Sequence, residues 1–186
     1  MDFTLNHAHA FGITPGAASH PEYPIEKLLR WPDAGRAGPV TPSRQHIAPE
    51  GTLLVTQADG LRLLGLTESA LRRGITMLQD RLGVRFKASA PRVRYIHGST
   101  ILEPSMTILV HGRADHLAMV QRDLARRRGR VIRVQEDDTF LLVGEAALAN
   151  LLGYADWLAT MTGEDPYVGM WLSRYRRLGS PASGME

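Results

Sequence analysis

Residues 102–129 read LEPSMTILVHGRADHLAMVQRDLARRRG, and two hydrophobic periodicities meet in them. Met106 to Val110 is an apolar run of strand length; beyond a polar gap, Leu117, Val120 and Leu124 recur at helical spacing until Gly129. Downstream, Val131–Val134 and Phe140–Val143 flank the polar turn Gln135-Glu136-Asp137-Asp138 as a hairpin. A second stripe, Leu148, Leu151, Leu152, Ala155 and Leu158, predicts a helix ending near Gly163, and Tyr167–Tyr175 alternates as a last strand. The order over residues 100–178 is therefore β-α-β-β-α-β, the split plan in which two helices pack on one face of an antiparallel sheet.

Upstream the same logic holds with a gap. Leu53–Val55 and Leu61–Leu66 flank Ala58-Asp59-Gly60 as a hairpin, and Thr67 caps an amphipathic helix over 68–82 whose stripe is Leu71, Ile75, Leu78 and Leu82. Gly83 ends it. Val84–Tyr95 reads as extended, with Pro91 at an edge or break and Val93 and Tyr95 facing opposite to Arg92 and Arg94. Seven of the 11 prolines lie in the first fifty residues, which forbids long regular elements there. That arm has room for a short strand around Phe3–Phe11 and a short helix around Ile25–Trp31. The expected fold is α+β: two ferredoxin-like (split βαβ) units with antiparallel sheets, the first lacking its opening strand and helix or drawing them from the arm. The expected organisation is an irregular arm over 1–50, units over 51–97 and 98–178, and a disordered tail over 179–186.

The 186 residues include no cysteine, which excludes disulfides, thiol catalysis and cysteine-based metal sites. No apolar run reaches the roughly 18 residues of a membrane span, and no leader pattern opens the chain, so the expectation is a cytoplasmic protein without a membrane partner. The 22 Lys+Arg against 19 Asp+Glu give a net charge of only +3, so the placement of the positive charge matters more than its total.

Three motifs carry a resemblance to a known family. Leu102-Glu103-Pro104-Ser105-Met106, Asp123-Leu124-Ala125-Arg126-Arg127-Arg128-Gly129 and Leu148-Ala149-Asn150-Leu151-Leu152-Gly153-Tyr154-Ala155 resemble, in order, the strand entry, helix end and second helix of the C-terminal domain of translation elongation factor G. Gly65–Tyr95 is similar to the second half of that family's third domain: Glu68 keeps its place and Thr67 stands where a glycine is usual. Its Ala90-Pro91-Arg92-Val93-Arg94-Tyr95 strand is closer to the related factor LepA. The resemblance implies third and last domains fused directly, since Tyr95 and Leu102 leave no room for a fourth domain between them. No G-x-x-x-x-G-K-[ST] phosphate loop occurs in these residues, so no nucleotide binding and no enzyme activity are expected.

The candidate nucleic-acid-binding residues are Arg122, Arg126, Arg127, Arg128 and Arg130 at one helix end, together with Arg92 and Arg94 on the extended segment. Arg122 and Arg126 lie opposite the leucine stripe, whereas Arg128 falls back toward the apolar face, to snorkel or cap. Such a cluster can pair with phosphates, or it can simply complement the negative end of a helix, and both readings stand at this point. Arg174, Arg176 and Arg177 read as a solvated edge that discourages strand pairing. His7 and His9 share a strand face, but no third ligand is identifiable, so no metal or cofactor is expected. Neither His97, His111 and His116 nor Asp137-Asp138 and Glu164-Asp165 suggests a catalytic constellation. Trp31, Trp157 and Trp171 can stack on bases, although a tryptophan in a leucine-striped helix is ordinarily packing. The resemblance implies a ribosome-associated, translation-related partner, whether rRNA or ribosomal protein. The competing reading is a protein–protein interaction or homo-oligomerisation module on the same scaffold.

Overall fold

The computed structural model describes residues 20–30, 50–57, 60–164 and 166–179. They form two units, one over 20–94 and one from Tyr95 onward. The strand expected around Phe3–Phe11, together with His7, His9 and Trp31, lies outside the described residues.

In the first unit, β1 (Ile25–Arg30) lies between the β2–β3 hairpin (Thr52–Gln57 and Gly60–Gly65) and the short strands β4 (Lys87–Ala88) and β5 (Arg92–Val93). All pairings are antiparallel, in the order β2-β3-β1-β4, with β5 also on β1. The sequence predicts a helix over Ile25–Trp31, and the structure corrects it to this central strand. Ile25 and Leu29, both fully buried, are four apart, a spacing that suits a helical turn and a strand face equally; pairing with β3 in the register Ile25↔Gly65 and Leu29↔Leu61 decides for the strand. On the opposite face Glu26 accepts a 2.8 Å hydrogen bond from Arg62 of β3.

Helix α1 (Glu68–Leu82) starts at Thr67, whose hydroxyl accepts from the Ala70 N–H at 3.1 Å, and stops at Gly83. Its buried face carries Ala70, Leu71, Gly74 and Leu78, and burying each leucine contributes about 1.5–3 kcal/mol. Pro91 separates β4 from β5, and Ser89 bridges the gap by exchanging hydrogen bonds with Leu28 at 2.9 and 3.0 Å.

The second unit runs β6 (Ile96–His97), β7 (Ile101–Arg113), a 3-10 turn, α2 (Leu117–Arg126), β8 (Arg130–Glu136), β9 (Thr139–Ala147), α3 (Leu148–Leu151), α4 (Tyr154–Thr162) and β10 (Tyr167–Arg177). The sheet order is β10-β7-β9-β8, with β6 also on β7. One face carries Met106, Ile108, Val110 and Leu142, packed beneath the helices with Val120, Leu124, Leu151 and Leu158. Gly144 of β9 lets α2 approach: a Cβ there would stand 2.6 Å from a Leu124 methyl.

The single helix expected over Leu148–Leu158 is two. Leu152 is extended and Gly153 is left-handed, φ 70°, and this break turns the Tyr154 ring into the core. Among the described residues no helix is long and apolar enough to cross a membrane.

Candidate nucleic-acid interface

The C-terminus of α2 assembles five arginines. The helix closes by donation from the Arg128 N–H to the Ala125 carbonyl and from the Gly129 N–H to the Leu124 carbonyl, both 2.9 Å, a Schellman arrangement. The left-handed residue is Arg128, φ 57°, rather than a glycine. Gly129 is required for space instead, because a Cβ there would stand 2.5 Å from a Leu124 methyl. The sequence places Arg128 toward the apolar face; the structure turns it to solvent, since the left-handed backbone swings its side chain out of the helical stripe.

The five then divide by role. Arg122, Arg126 and Arg128 are exposed, and their side chains have no hydrogen-bond or ion-pair partner among the described residues. Arg127 is internal. Its Nε donates to Asp123 at 2.6 Å and its Nη1 to the Asn150 carbonyl at 2.9 Å, while its guanidinium lies 5.0 Å from the Tyr154 ring centroid and 5.3 Å from that of Trp157. Burial pushes the Tyr154 phenol up to about 12, with Asp123 adding to the shift and Arg127 opposing it. Arg130 is held by Glu145 through Nε and Nη2 at 3.1 and 2.8 Å.

Of the two residues on the extended segment, Arg92 is exposed. Arg94 is a strut: its Nη1 donates to the carbonyls of His20 and Tyr23, both at 2.8 Å, and its Nε stands 3.6 Å from Glu26.

Sequence reasoning missed the carboxylates on the sheet face that the helices leave uncovered. Glu145, with 3% of its side chain exposed, accepts from Ser105 at 3.0 Å and from Arg130, and Arg174 stands 3.1 Å away. Glu103 likewise holds Arg176 at 3.2 Å. Arg174 and Arg176 are therefore anchored rather than a solvated edge. The cause is a bulge between Leu172 and Arg174 that shifts the alternation by one, bringing residues 174 and 176, instead of 173 and 175, onto the carboxylate face. The available signal was a lone acid inside each apolar strand. Burial works to raise the Glu145 pKa, but the hydrogen bonds from Arg130 and Ser105 and the charges of Arg174 and Arg130 outweigh it and hold the carboxyl below its usual value.

His97 and His111 are exposed, and Asp137 and Asp138 occupy the β8–β9 turn. Among the described residues no three His, Asp or Glu converge on a metal-sized site.

Two antiparallel sheets in the 4-1-3-2 order, each with at least one helix, define an α+β protein built from ferredoxin-like units. Residues 100–182 match the family described as Elongation factor G C-terminus. The chain is similar to mitochondrial ribosome-releasing factor 2 of Danio rerio, 33% identical over 84 residues that make up 45% of this chain and 11% of that protein. It is similar to the Bos taurus protein of the same name, 34% identical over 42% of this chain and 10% of that one. Elongation factor G 2 of Vibrio parahaemolyticus is 34% identical over 48% of this chain and 12% of its own length. The matched segment thus spans about a tenth of each relative. A crystal structure of a Thermus thermophilus protein superposes with a TM-score of 0.56 at 16% identity, over 87% of this chain and 42% of that one, which shows the fold.

Proposed function

We propose that this protein acts in translation by docking on ribosomal RNA, without nucleotide hydrolysis, and that the exposed arginines at the end of α2 carry the contact. The supporting observation is the division within that cluster. Two arginines, Arg127 and Arg130, satisfy internal carboxylates, while Arg122, Arg126 and Arg128 are left with donors free among the described residues. Structural need accounts for the first group and not for the second. In the first unit Arg92 is exposed, as are Arg73, Arg85 and Lys87. The relatives' names, ribosome-releasing factor and elongation factor, point to the same partner.

The third-domain likeness of residues 51–97, the organisation into two fused non-catalytic domains and the cytoplasmic location belong to this proposal. Co-sedimentation with ribosomes at low salt tests it. The chain pellets, and Arg122→Glu with Arg126→Glu stays in the supernatant; a wild-type chain that never pellets ends the reading. A second reading, self-association, is favoured by edge strand β8, where Ile132 is 53% exposed. Sedimentation velocity decides it.

A further inference from the structure

The face of the second sheet turned away from its helices carries a regular grid. In one cross-strand row Trp171 of β10, Thr107 of β7, Glu145 of β9 and Arg130 of β8 stand in register. The neighbouring row is Gly169, Leu109, Val143 and Arg133, and Tyr167 begins the row beyond. Trp171 is 49% and Tyr167 65% exposed, on the same strand face and about 13 Å apart along it. Between them Gly169 contributes no side chain, and the Tyr167 ring lies over it, 3.4 Å from where a Cβ would be.

The charges on this face follow one rule. Its two carboxylates are both spent, Glu103 on Arg176 and the buried Glu145 on two arginines reaching in from opposite edge strands, so the Glu145 trio keeps one net positive charge with Arg174 46% exposed. Arg133 adds an exposed guanidinium without a partner among the described residues. Both edge strands are bulged, between Val131 and Arg133 and between Leu172 and Arg174, and each bulge turns the following arginine onto this face. Bulges that re-aim a side chain concentrate at functional sheet edges. Exposed aromatic rings on a half-apolar floor bordered by arginines, with the exposed acids Asp115 and Glu164 confined to the Arg113 end and paired there with that arginine, complement an anion that has flat unpaired faces. A duplex hides its base faces; a single strand presents them.

We infer that this open sheet face binds a single-stranded RNA segment, with Trp171 and Tyr167 stacking on bases and Arg133 and Arg174 meeting backbone phosphates. It adds a second RNA surface to the proposed ribosomal role and is testable apart from the α2 cluster.

The experiment is fluorescence anisotropy of the full chain with a labelled oligouridylate and with a blunt RNA duplex of equal length. Trp171→Ala lowers single-strand affinity about 10-fold, Trp171→Phe retains most of it, and Arg133→Glu weakens binding and flattens its salt dependence. Because Trp171 is half exposed, a melting curve matching wild type keeps the Ala variant interpretable. Single-strand affinity unchanged by Trp171→Ala and Tyr167→Ala overturns the inference, as does no binding of oligouridylate, or a duplex bound as tightly as the single strand. Loss with Trp171→Ala but not with Arg122→Glu and Arg126→Glu upholds this surface and removes the α2 cluster; the reverse pattern upholds the cluster alone.

Discussion

The Arg127 guanidinium lies 5.0 Å from the centroid of the buried Tyr154 ring while donating to Asp123 on its own helix and to the Asn150 carbonyl on the next one. One side chain thus ties the arginine-rich end of α2 to the broken α3–α4 segment, two of the three motifs that resemble elongation factor G. Arg127→Ala is expected to cost about 2 kcal/mol in urea unfolding, since it leaves a half-buried Asp123 unpaired and removes the stacking contact. Arg127→Lys recovers little, because an ammonium cannot serve a carboxylate, a carbonyl and a ring face at once. Arg126→Ala, on the exposed side, stays within about 0.5 kcal/mol of wild type.

The same ring gives a test of opposite sign. The Tyr154 hydroxyl is buried and without a hydrogen-bond partner among the described residues. Tyr154→Phe removes a polar group that folding desolvates for no return, and is expected to be neutral or to stabilise by up to about 1 kcal/mol. Tyr154→Ala costs about 3–5 kcal/mol through the cavity it leaves. Thermal unfolding of the two variants reads both.

Glu145 makes stability depend on acid. Its folded pKa lies below its ordinary value, so the unfolded chain takes up the proton first as the pH falls. Its contribution is fully present above the ordinary carboxylate value near 4.3, and is lost as pH drops from there through the lowered folded value. Denaturant midpoints measured at neutral pH and at about pH 3 should therefore converge for wild type and Glu145→Gln, with the variant less stable at neutral pH only.

The end of α2 predicts two neighbouring substitutions with opposite effects. Arg128→Gly relieves a left-handed residue with a Cβ and stabilises by about 1 kcal/mol. Gly129→Ala puts a methyl 2.5 Å from Leu124 and destabilises by about 1–3 kcal/mol. If Arg128→Gly also weakens RNA binding, the strained arginine is present for an external contact.

The second unit was legible because each element announced itself locally. Helical and strand periods are unmistakable in Leu117/Val120/Leu124 and Met106–Val110, and the chain order alone then selects the split βαβ plan. Residues 25–30 were misread because Ile25 and Leu29 satisfy both periods and only the partner strand β3 distinguishes them. The break at Gly153 was hidden by a leucine stripe that runs through it. In the candidate interface, all seven arginines could be named from the sequence, but not which were already occupied. That depends on Asp123, Glu26 and Glu145, carboxylates that pairing and packing bring to them; the β10 bulge, which no residue type signals, does the same for Arg174 and Arg176 outside those seven.

The central claim, that exposed α2 arginines meet RNA phosphates, is tested most directly by the salt dependence of ribosomal RNA binding. Each phosphate contact contributes a slope of about 0.7–0.9 in log affinity against log salt. The wild-type slope should be steep, and Arg122→Gln with Arg126→Gln should reduce it by about 1.5 while leaving the unfolding midpoint unchanged. A double variant with the wild-type slope would contradict the account.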